Sequence, residues 1–498
     1  MSKKPNIIYL LNDHQAYYGH GTMAGGPKIE RPNFQRLTKD GIRFSNAYTA
    51  CPLCGPARRT MLTGLYPHNH KELLNDVNYP FENEPYLEIL TKNGYRNYYY
   101  GKWHAGPGTA LDHSCEGFSM ANYGNPYLTK EYREYLDKYD LPMFEVRIEH
   151  SFLNPDWPKA KALGIQEGEL HTPLDDILSE HASGIMTSPK ETHEAIFLAN
   201  LAIEKLEEIS EKNDKKPFHL RVDFWGPHQP YFVPAEFMDM YDPKKIPEYP
   251  NFKDDLEDKP KIYIYDVNYP ISKNGRLIYP NPLPWSVWSE VLAAHYAQIS
   301  LVDYAGGLIL NKVKELGMED NTIIIWTTDH GDAVASHGGH FDKDCYMPQE
   351  MIRIPMAIKL PEEIPKGGVD DSFVSNLDIG PTILDAAGTS FGYETDGNSL
   401  LPLCRGEITN FRSDFMVETH GHFHIHLGRA IIERRYKYIW NDRYLDELYD
   451  LKHDPYELNN LINNSDYEII LKKLKNRLKY WREKTNDKMT RKLIKRII

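Results

Sequence analysis

Cysteine is scarce in this chain. Five residues in 498, Cys51, Cys54, Cys115, Cys345 and Cys404, form an odd and widely spaced set that does not describe a disulfide framework. Positive charge is not in excess: 58 Lys and Arg stand against 71 Asp and Glu, for a formal net charge of −13. That balance argues against a nucleic-acid binder. An anionic ligand would have to be held by local clustering of Lys, Arg, His and metal. No apolar run approaches the roughly 20 residues that a helix needs to cross a bilayer, so no membrane association is expected. The run 7–11 is too short for the apolar core of a secretory signal, lacks a small-residue cleavage site and leads straight into Asp13. It predicts a first core strand and a cytoplasmic protein. Repeats and low-complexity tracts are also missing. What remains is an ordinary globular composition, 41% hydrophobic and 26% charged, long enough for one large core and a smaller second domain.

Residues 6–13, β-branched and aromatic before a polar end, suit a central parallel strand whose carboxyl end faces a site. The spacing predicts a helix over 32–40 with Gly41 as its stop, a strand over 42–49, and a short helix start over 57–64 that places Cys54 near exposed backbone N–H groups, where an anion is welcome. A helix over 86–92 and a strand over 95–103 follow. Residues 107–187 give no clean elements. Ser188-Pro189-Lys190-Glu191 reads as a capping box with proline at the first helical position, ahead of a helix burying Ile196, Ala199, Ile203 and Leu206. Next come a strand over 217–225, an irregular insertion over 240–287, a long helix over 288–316, a buried strand over 321–329, a strand over 352–360 and a helix over 377–387. After Gly388 the character changes: strands over 415–419 and 429–440, an amphipathic closing helix over 467–484, and a basic tail, 491–498, that reads as a frayed helix end. The expected fold is α/β, a mostly parallel central sheet flanked by helices in residues 1–388, with a smaller C-terminal α+β domain in 389–498.

Four polar clusters follow the expected strand ends: Asp13-His14, Lys102-x-His104, His228, and Asp329-His330 with Lys343. In an open α/β sheet the strand carboxyl ends share one rim, so clusters far apart in sequence converge there, around Cys54.

The motifs then narrow the chemistry. Cys54-x-Pro56-x-Arg58 followed by Leu62-Thr63-Gly64 resembles the signature of the type I sulfatases, the formylglycine-dependent branch of the alkaline-phosphatase-like superfamily, in its cysteine form. Gly101-Lys102-Trp103-His104, Pro227-His228-x-Pro230, Asp329-His330-Gly331, and His337-Gly338 followed by Lys343 match that family's blocks in order. So do the Arg-Tyr-Lys-Tyr block ending at Tyr438 and the Glu447-Leu-Tyr-Asp-Leu block ending at Glu457. The match runs over 6–461 and leaves the two insertions uncovered.

The resemblance implies a sulfuric ester hydrolase acting on a small sulfated substrate, a sulfated sugar or an aryl sulfate. It implies that Cys54 is converted to formylglycine (3-oxoalanine) by a maturation enzyme, and that the hydrated aldehyde attacks sulfur. By position, Arg58 steadies the hydrate, Lys102 orders the same centre, and His104 takes the proton that lets sulfate leave. His228 and Lys343 hold sulfate oxygens and assist the leaving alkoxide; Lys102, His228 and Lys343 together bind the substrate. Asp13, His14, Cys54, Asp329 and His330 are the implied ligands of one divalent metal, calcium by family habit. His14 stands where the family places Asp or Gln, a departure that admits Mn2+ or another transition metal.

Other readings stay open. Cys51-x-x-Cys54 is also the spacing of a redox pair or half a zinc site. Lys102 and His104 alone read as a solvated strand end, His228 as a turn former, and Asp329-His330 as a cap. His420, His422, His424 and His426 alternate, so on a strand they share one face, as a second metal site or a polar pocket wall. Tyr263, Tyr265, Trp285 and Trp288 stack on a sugar or aryl group, or only pack locally. The Cys54 signature also resembles the phosphonate monoester hydrolase and phosphodiesterase branch, which Lys102-x-His104 suits less well. If Cys54 stays a thiol, the chain is a catalytically inactive binder of sulfated ligands. Specificity is expected in 107–187 and 240–287.

Overall fold

The computed structural model describes residues 4–17, 26–151, 167–172, 182–212, 215–268, 271–343, 346–360, 367–409 and 411–498. Cys345 and the stretches 152–166 and 173–181 of the first insertion lie outside these.

Eight strands form the central sheet. From edge to edge they are Gly368–Ser375, Ile42–Tyr48, Met356–Lys359, Thr322–Thr328, Asn6–Asn12, Phe218–Asp223, Arg96–Lys102 and Cys115–Met120. All neighbours pair in parallel except Met356–Lys359, which is antiparallel to both of its own. Alternation along each strand divides the core in two. Ile8, Leu10, Tyr98, Tyr100, Leu220 and Val222 face a layer containing the helices Glu194–Glu211 and Trp285–Glu315, while Ile7, Tyr9, Leu11, Tyr99, Ile323 and Ile325 face a layer containing Cys54–Thr63, Tyr86–Lys92 and Ile379–Ala386. Strands buried on both faces are what an all-apolar run such as Ile7-Ile8-Tyr9-Leu10-Leu11 specifies.

The C-terminal sheet is antiparallel, Asp414–Gly421, Ile425–Glu433, Tyr436–Asn441 and Glu447–Asp450 in sequence order. Helix Glu468–Lys484 lays Leu474, Leu478 and Trp481 on it.

Several local expectations are corrected. The helix expected from residue 57 begins at Cys54 and is buried along its whole length. The 188–191 segment is no capping box: Lys190–Thr192 is one 3₁₀ turn, and the α-helix starts at Glu194, capped by His193 Nδ1 accepting from the Ala195 N–H. Ile203 on that helix is only half-buried. The strand expected from 352 begins at Met356, because Gln349–Ile352 is a helical turn. The first insertion is not irregular throughout. Cys115–Met120 extends the main sheet, and Val146–Ser151, Leu170–His171 and Ala182–Met186 join Tyr231–Pro234 in a second sheet. The tail is no frayed end: Arg491–Ile497 is a separate helix capped by Thr490, and its Ile494 is buried against Leu73, Leu427 and Met489.

Candidate active site

Four parallel strands that lie side by side, Thr322–Thr328, Asn6–Asn12, Phe218–Asp223 and Arg96–Lys102, end at one rim. Their carboxyl ends deliver Asp329-His330, Asp13-His14, Asp223 and Lys102. The helix that opens at Cys54 packs over this rim, and its Arg58, one turn on from Cys54, points into it.

Arg58 is wholly buried. Its Nε donates to Asp329 Oδ2 at 2.9 Å, and its Nη1 donates to Asp223 Oδ2 and to the Lys102 carbonyl, each at 2.9 Å. Its Nη2 lies 3.4 Å from Asp13 Oδ1. Burial opposes the charge on this guanidinium, but Asp329, Asp13 and Asp223 outweigh it and hold Arg58 protonated. Asp223 is in turn clamped by Arg221, at 2.6 and 2.7 Å, and by the Tyr99 hydroxyl at 2.7 Å.

Lys102 Nζ donates to Asp13 Oδ2 at 2.5 Å and lies 4.4 Å from the centre of the Tyr123 ring. Asp13 and Asp329 behave as a pair. Burial pushes both carboxyls up. Lys102 and Arg58 overcome it at Asp13, which is held well below the usual carboxylate range, whereas Asp329 is raised by burial and by the charge on Asp13.

Asp329 Oδ1 accepts from the backbone N–H of His14 at 3.0 Å and of His330 at 2.9 Å. The His330 ring donates through Nδ1 to the Gly331 carbonyl at 2.8 Å, which leaves Nε2 with a lone pair 3.2 Å from Cys54 Sγ. Gly331 is required there: a Cβ would meet the Glu350 carbonyl at 1.7 Å.

Ligand-capable atoms of Asp13, Cys54, Asp329 and His330 all lie within 4.8 Å of one another. Asp13 Oδ1 is buried and makes no hydrogen bond. Two carboxylates, one imidazole nitrogen and residue 54 form a mixed donor set that fits a divalent cation. His14 is not in that group. Its backbone supports Asp329, while its ring, at φ +66°, falls in a neighbouring group with His228 and Asp342.

On the other side of this group, Lys343 Nζ donates to His228 Nε2 at 2.8 Å and to Asp342 Oδ1 at 2.9 Å. His228 Nδ1 donates to the Gln229 carbonyl at 2.7 Å. Burial and then Lys343 push the His228 imidazole well down, so it is neutral. Lys343 is raised despite burial, chiefly by Asp342.

His104, at φ +42°, places Nε2 3.3 Å from Asp76 Oδ1. The neighbouring Asn75 accepts from the Gly55 N–H at 2.9 Å. Segment 75–76 therefore both caps the Cys54 helix, whose own N-cap Leu53 has no side-chain acceptor, and orients His104.

The remaining candidates are placed as follows. The four alternating histidines do not share a strand face, because the strand ends at Gly421 and the next begins at Ile425. His420 bonds Glu418 and His426 bonds Asn441, both inside the C-terminal sheet. His424 lies beside Tyr265, with ring centres 5.3 Å apart. His422, at the hairpin tip, is pushed down to about 4 by burial and by Lys343, so the C-terminal sheet reaches the site. Tyr263, Trp285 and Trp288 are packing residues: Tyr263 donates to Glu447, Trp285 sits against Tyr249 and Phe252, and Trp288 is in the core. Cys51 is a buried free thiol, as are Cys115 and Cys404. Arg353 holds the Ser45 carbonyl beneath Tyr17, and His337 pairs with Asp254.

Sequence reasoning missed Asp223, Tyr123, Asn75, Asp76 and Asn376, whose amide donates to the Asp329 carbonyl at 3.0 Å. Asp223 carried a readable signal, a carboxylate near the carboxyl end of the strand expected over 217–225. Tyr123, Asn75 and Asp76 sit in loops, and Asn376 opens the 3₁₀ turn Asn376–Asp378. Among the described residues no helix is long and apolar enough to cross a membrane.

The sulfatase family model matches residues 5–389, and the model for the C-terminal region of N-sulphoglucosamine sulphohydrolase matches 336–484. An arylsulfatase of Clostridium perfringens is 29% identical, covering 95% of this chain and 95% of its own. An N-acetylglucosamine-6-O-sulfatase of Bacteroides thetaiotaomicron is 26% identical, covering 95% and 85%. Among solved structures, the phosphonate monoester hydrolase of Agrobacterium radiobacter superposes with a TM-score of 0.75 at 21% identity, over 97% of this chain and 96% of that one. A structure in complex with its substrate D-glucosamine-2-N,6-O-disulfate superposes with a TM-score of 0.70 at 21% identity, over 98% and 99%.

Proposed function

The chain belongs to the sulfatase family of sulfuric ester hydrolases, and from that premise we propose that it cleaves the sulfate ester of a small sulfated sugar or aryl sulfate, using formylglycine made from Cys54 and one divalent cation. The observation that carries this reading is the convergence of Asp13, Lys102 and Asp329 on Arg58 and Cys54 at the ends of adjacent strands.

Formylglycine made from Cys54 would, in its hydrated form, supply the oxygen that attacks sulfur. Asp13, Asp329 and His330 would hold the cation beside residue 54, Ca2+ or, given an imidazole in the set, Mn2+; when bound it polarises the sulfuryl oxygens. The protein's own groups do the rest. Arg58 offsets the buried carboxylates so that the site is not repulsive to a sulfate. Lys102 presents its ammonium from Asp13 toward the same centre. The Lys343 ammonium, oriented by its hydrogen bond to the neutral His228, is suited to hold sulfate oxygens and to protonate the leaving alkoxide. His104, backed by Asp76, takes the proton whose loss regenerates the aldehyde. The relatives named for N-acetylglucosamine 6-sulfate and aryl sulfate support the substrate class.

Matured protein assayed side by side on an aryl sulfate, a glucosamine sulfate and a phenyl phosphonate monoester tests the reading. It expects a higher kcat/KM on at least one of the sulfates than on the phosphonate. The reverse order would assign the chain to phosphonate or phosphodiester hydrolysis.

A further inference from the structure

The loop that carries His330 and Lys343 holds a second buried polar group that sulfate hydrolysis does not use. His337, at φ +44°, lies on this loop. Around it stand Asp254 from the second insertion, Glu350 from the helical turn Gln349–Ile352, and Glu457 from beyond the last strand of the C-terminal sheet. His337, Glu350 and Glu457 are 5%, 7% and 2% exposed. One atom of each, His337 Nε2, Glu350 Oε2 and Glu457 Oε1, falls in a set whose members all lie within 4.8 Å of one another. Of these, His337 Nε2 and Glu350 Oε2 are buried and make no hydrogen bond.

The other polar atom of each residue is anchored. His337 Nδ1 donates to Asp254 Oδ2 at 3.0 Å, Glu350 Oε1 accepts from the Asn251 amide at 2.7 Å, and Glu457 Oε2 accepts from the Gln349 N–H at 2.7 Å. A carboxylate on the far nitrogen of an imidazole fixes the tautomer and aims the near lone pair, which is how metal-ligating histidines are held. Two lysines face the group. Lys437 pairs with Glu457 Oε1, and Lys259 donates to the Glu457 carbonyl. Burial lowers the His337 imidazole, but Asp254 and Glu350 outweigh it and raise it to about 9; a cation entering there displaces that proton, and the carboxylates of Asp254, Glu350 and Glu457 then outnumber the two lysines.

We propose that His337, Glu350 and Glu457 form a second cation site, distinct in its residues from the one beside Cys54. One imidazole and two carboxylates suit a transition-type divalent ion such as Mn2+ or Zn2+ better than Ca2+ or Mg2+, which prefer all-oxygen sets. Bound there, the ion ties the catalytic loop to the C-terminal sheet.

The test is equilibrium dialysis of the chelated, full-length protein against micromolar Mn2+, with the bound metal counted per chain and the thermal midpoint recorded. Wild type should bind two equivalents. Glu457→Gln and Glu350→Gln should bind one. Asp13→Asn should also bind one and keep the upward melting shift that Mn2+ confers at the second site. A single equivalent in wild type that disappears in Asp13→Asn would overturn the proposal, leaving a closed ion cluster with His337 protonated. A single equivalent lost in Glu457→Gln but kept in Asp13→Asn would support this site and contradict the catalytic one. If either Glu variant fails to fold, wild type and Asp13→Asn decide between these outcomes.

Discussion

Arg58 is closed off from the surface and enclosed by Asp13, Asp223 and Asp329, all of them fully buried. Removing one member of a buried ionic group leaves its partners charged and unpaired, which typically costs about 3–5 kcal/mol. Arg58→Met should therefore lower unfolding stability by about that amount, read from denaturant curves, as well as ending turnover. A stability within about 0.5 kcal/mol of wild type would mean the three carboxylates do not depend on this cation. At this scale the sequence was informative where a motif named the residue: Cys54, Arg58, Lys102, Asp329 and His330 meet. It was uninformative where a contact depends on chain path. Asn75 and Asp76 reach Gly55 and His104 from a loop with no periodicity of its own. His14 adjoins Asp13, yet its left-handed backbone sets the ring between His228 and His330, with ring centres 4.8 and 4.7 Å away, and with Nδ1 facing Asp342.

Between elements, His68, on the helical turn Pro67–His70 that follows the Cys54 helix, ties that turn to the C-terminal sheet. Its Nδ1 lies 2.5 Å from Glu418 Oε2 on strand Asp414–Gly421, and its Nε2 lies 3.0 Å from the Thr485 carbonyl after helix Glu468–Lys484. Burial lowers the His68 imidazole, but Glu418 outweighs it and leaves it raised; Glu418 is held well below its ordinary range against burial, chiefly by His68 and Arg429. The signs follow. The raised His68 contributes stability that is whole below its unfolded value, about 6.5, and fades as pH climbs through its higher folded value. The depressed Glu418 contributes above its own unfolded value, about 4.3, and is lost as pH falls. The melting temperature of wild type should therefore decline on the alkaline side from about pH 6.5 upward. His68→Gln should flatten that limb, and an unchanged limb in the variant would remove His68 as its source. Elements were legible in proportion to their burial pattern. The run 321–329 and the helix 288–316 declared themselves because both faces or one long stripe are apolar. The start of helix Glu194–Glu211 did not, because a histidine supplied the cap where Ser188 carried the usual signal. Strand Gly368–Ser375 was missed because its first half is polar and partly exposed at the sheet edge.

For the whole molecule, the architecture is a way of making distant residues neighbours. A strand order of non-consecutive segments puts residues 13, 102, 223 and 329 at one rim, and the C-terminal sheet closes over it from the side with His422. The α/β class followed from alternating strand and helix patterns, and the antiparallel direction of Met356–Lys359 within the central sheet did not, since its four residues carry no sign of direction. The measurement that bears most directly on the account is the mass of the Cys54 peptide, taken on protein coproduced with and without a formylglycine-generating enzyme, alongside sulfate release from an aryl or sugar sulfate. The account expects a peptide lighter than the cysteine form and a turnover rate that rises in proportion to the converted fraction. Full turnover by protein whose residue 54 is entirely thiol would contradict it.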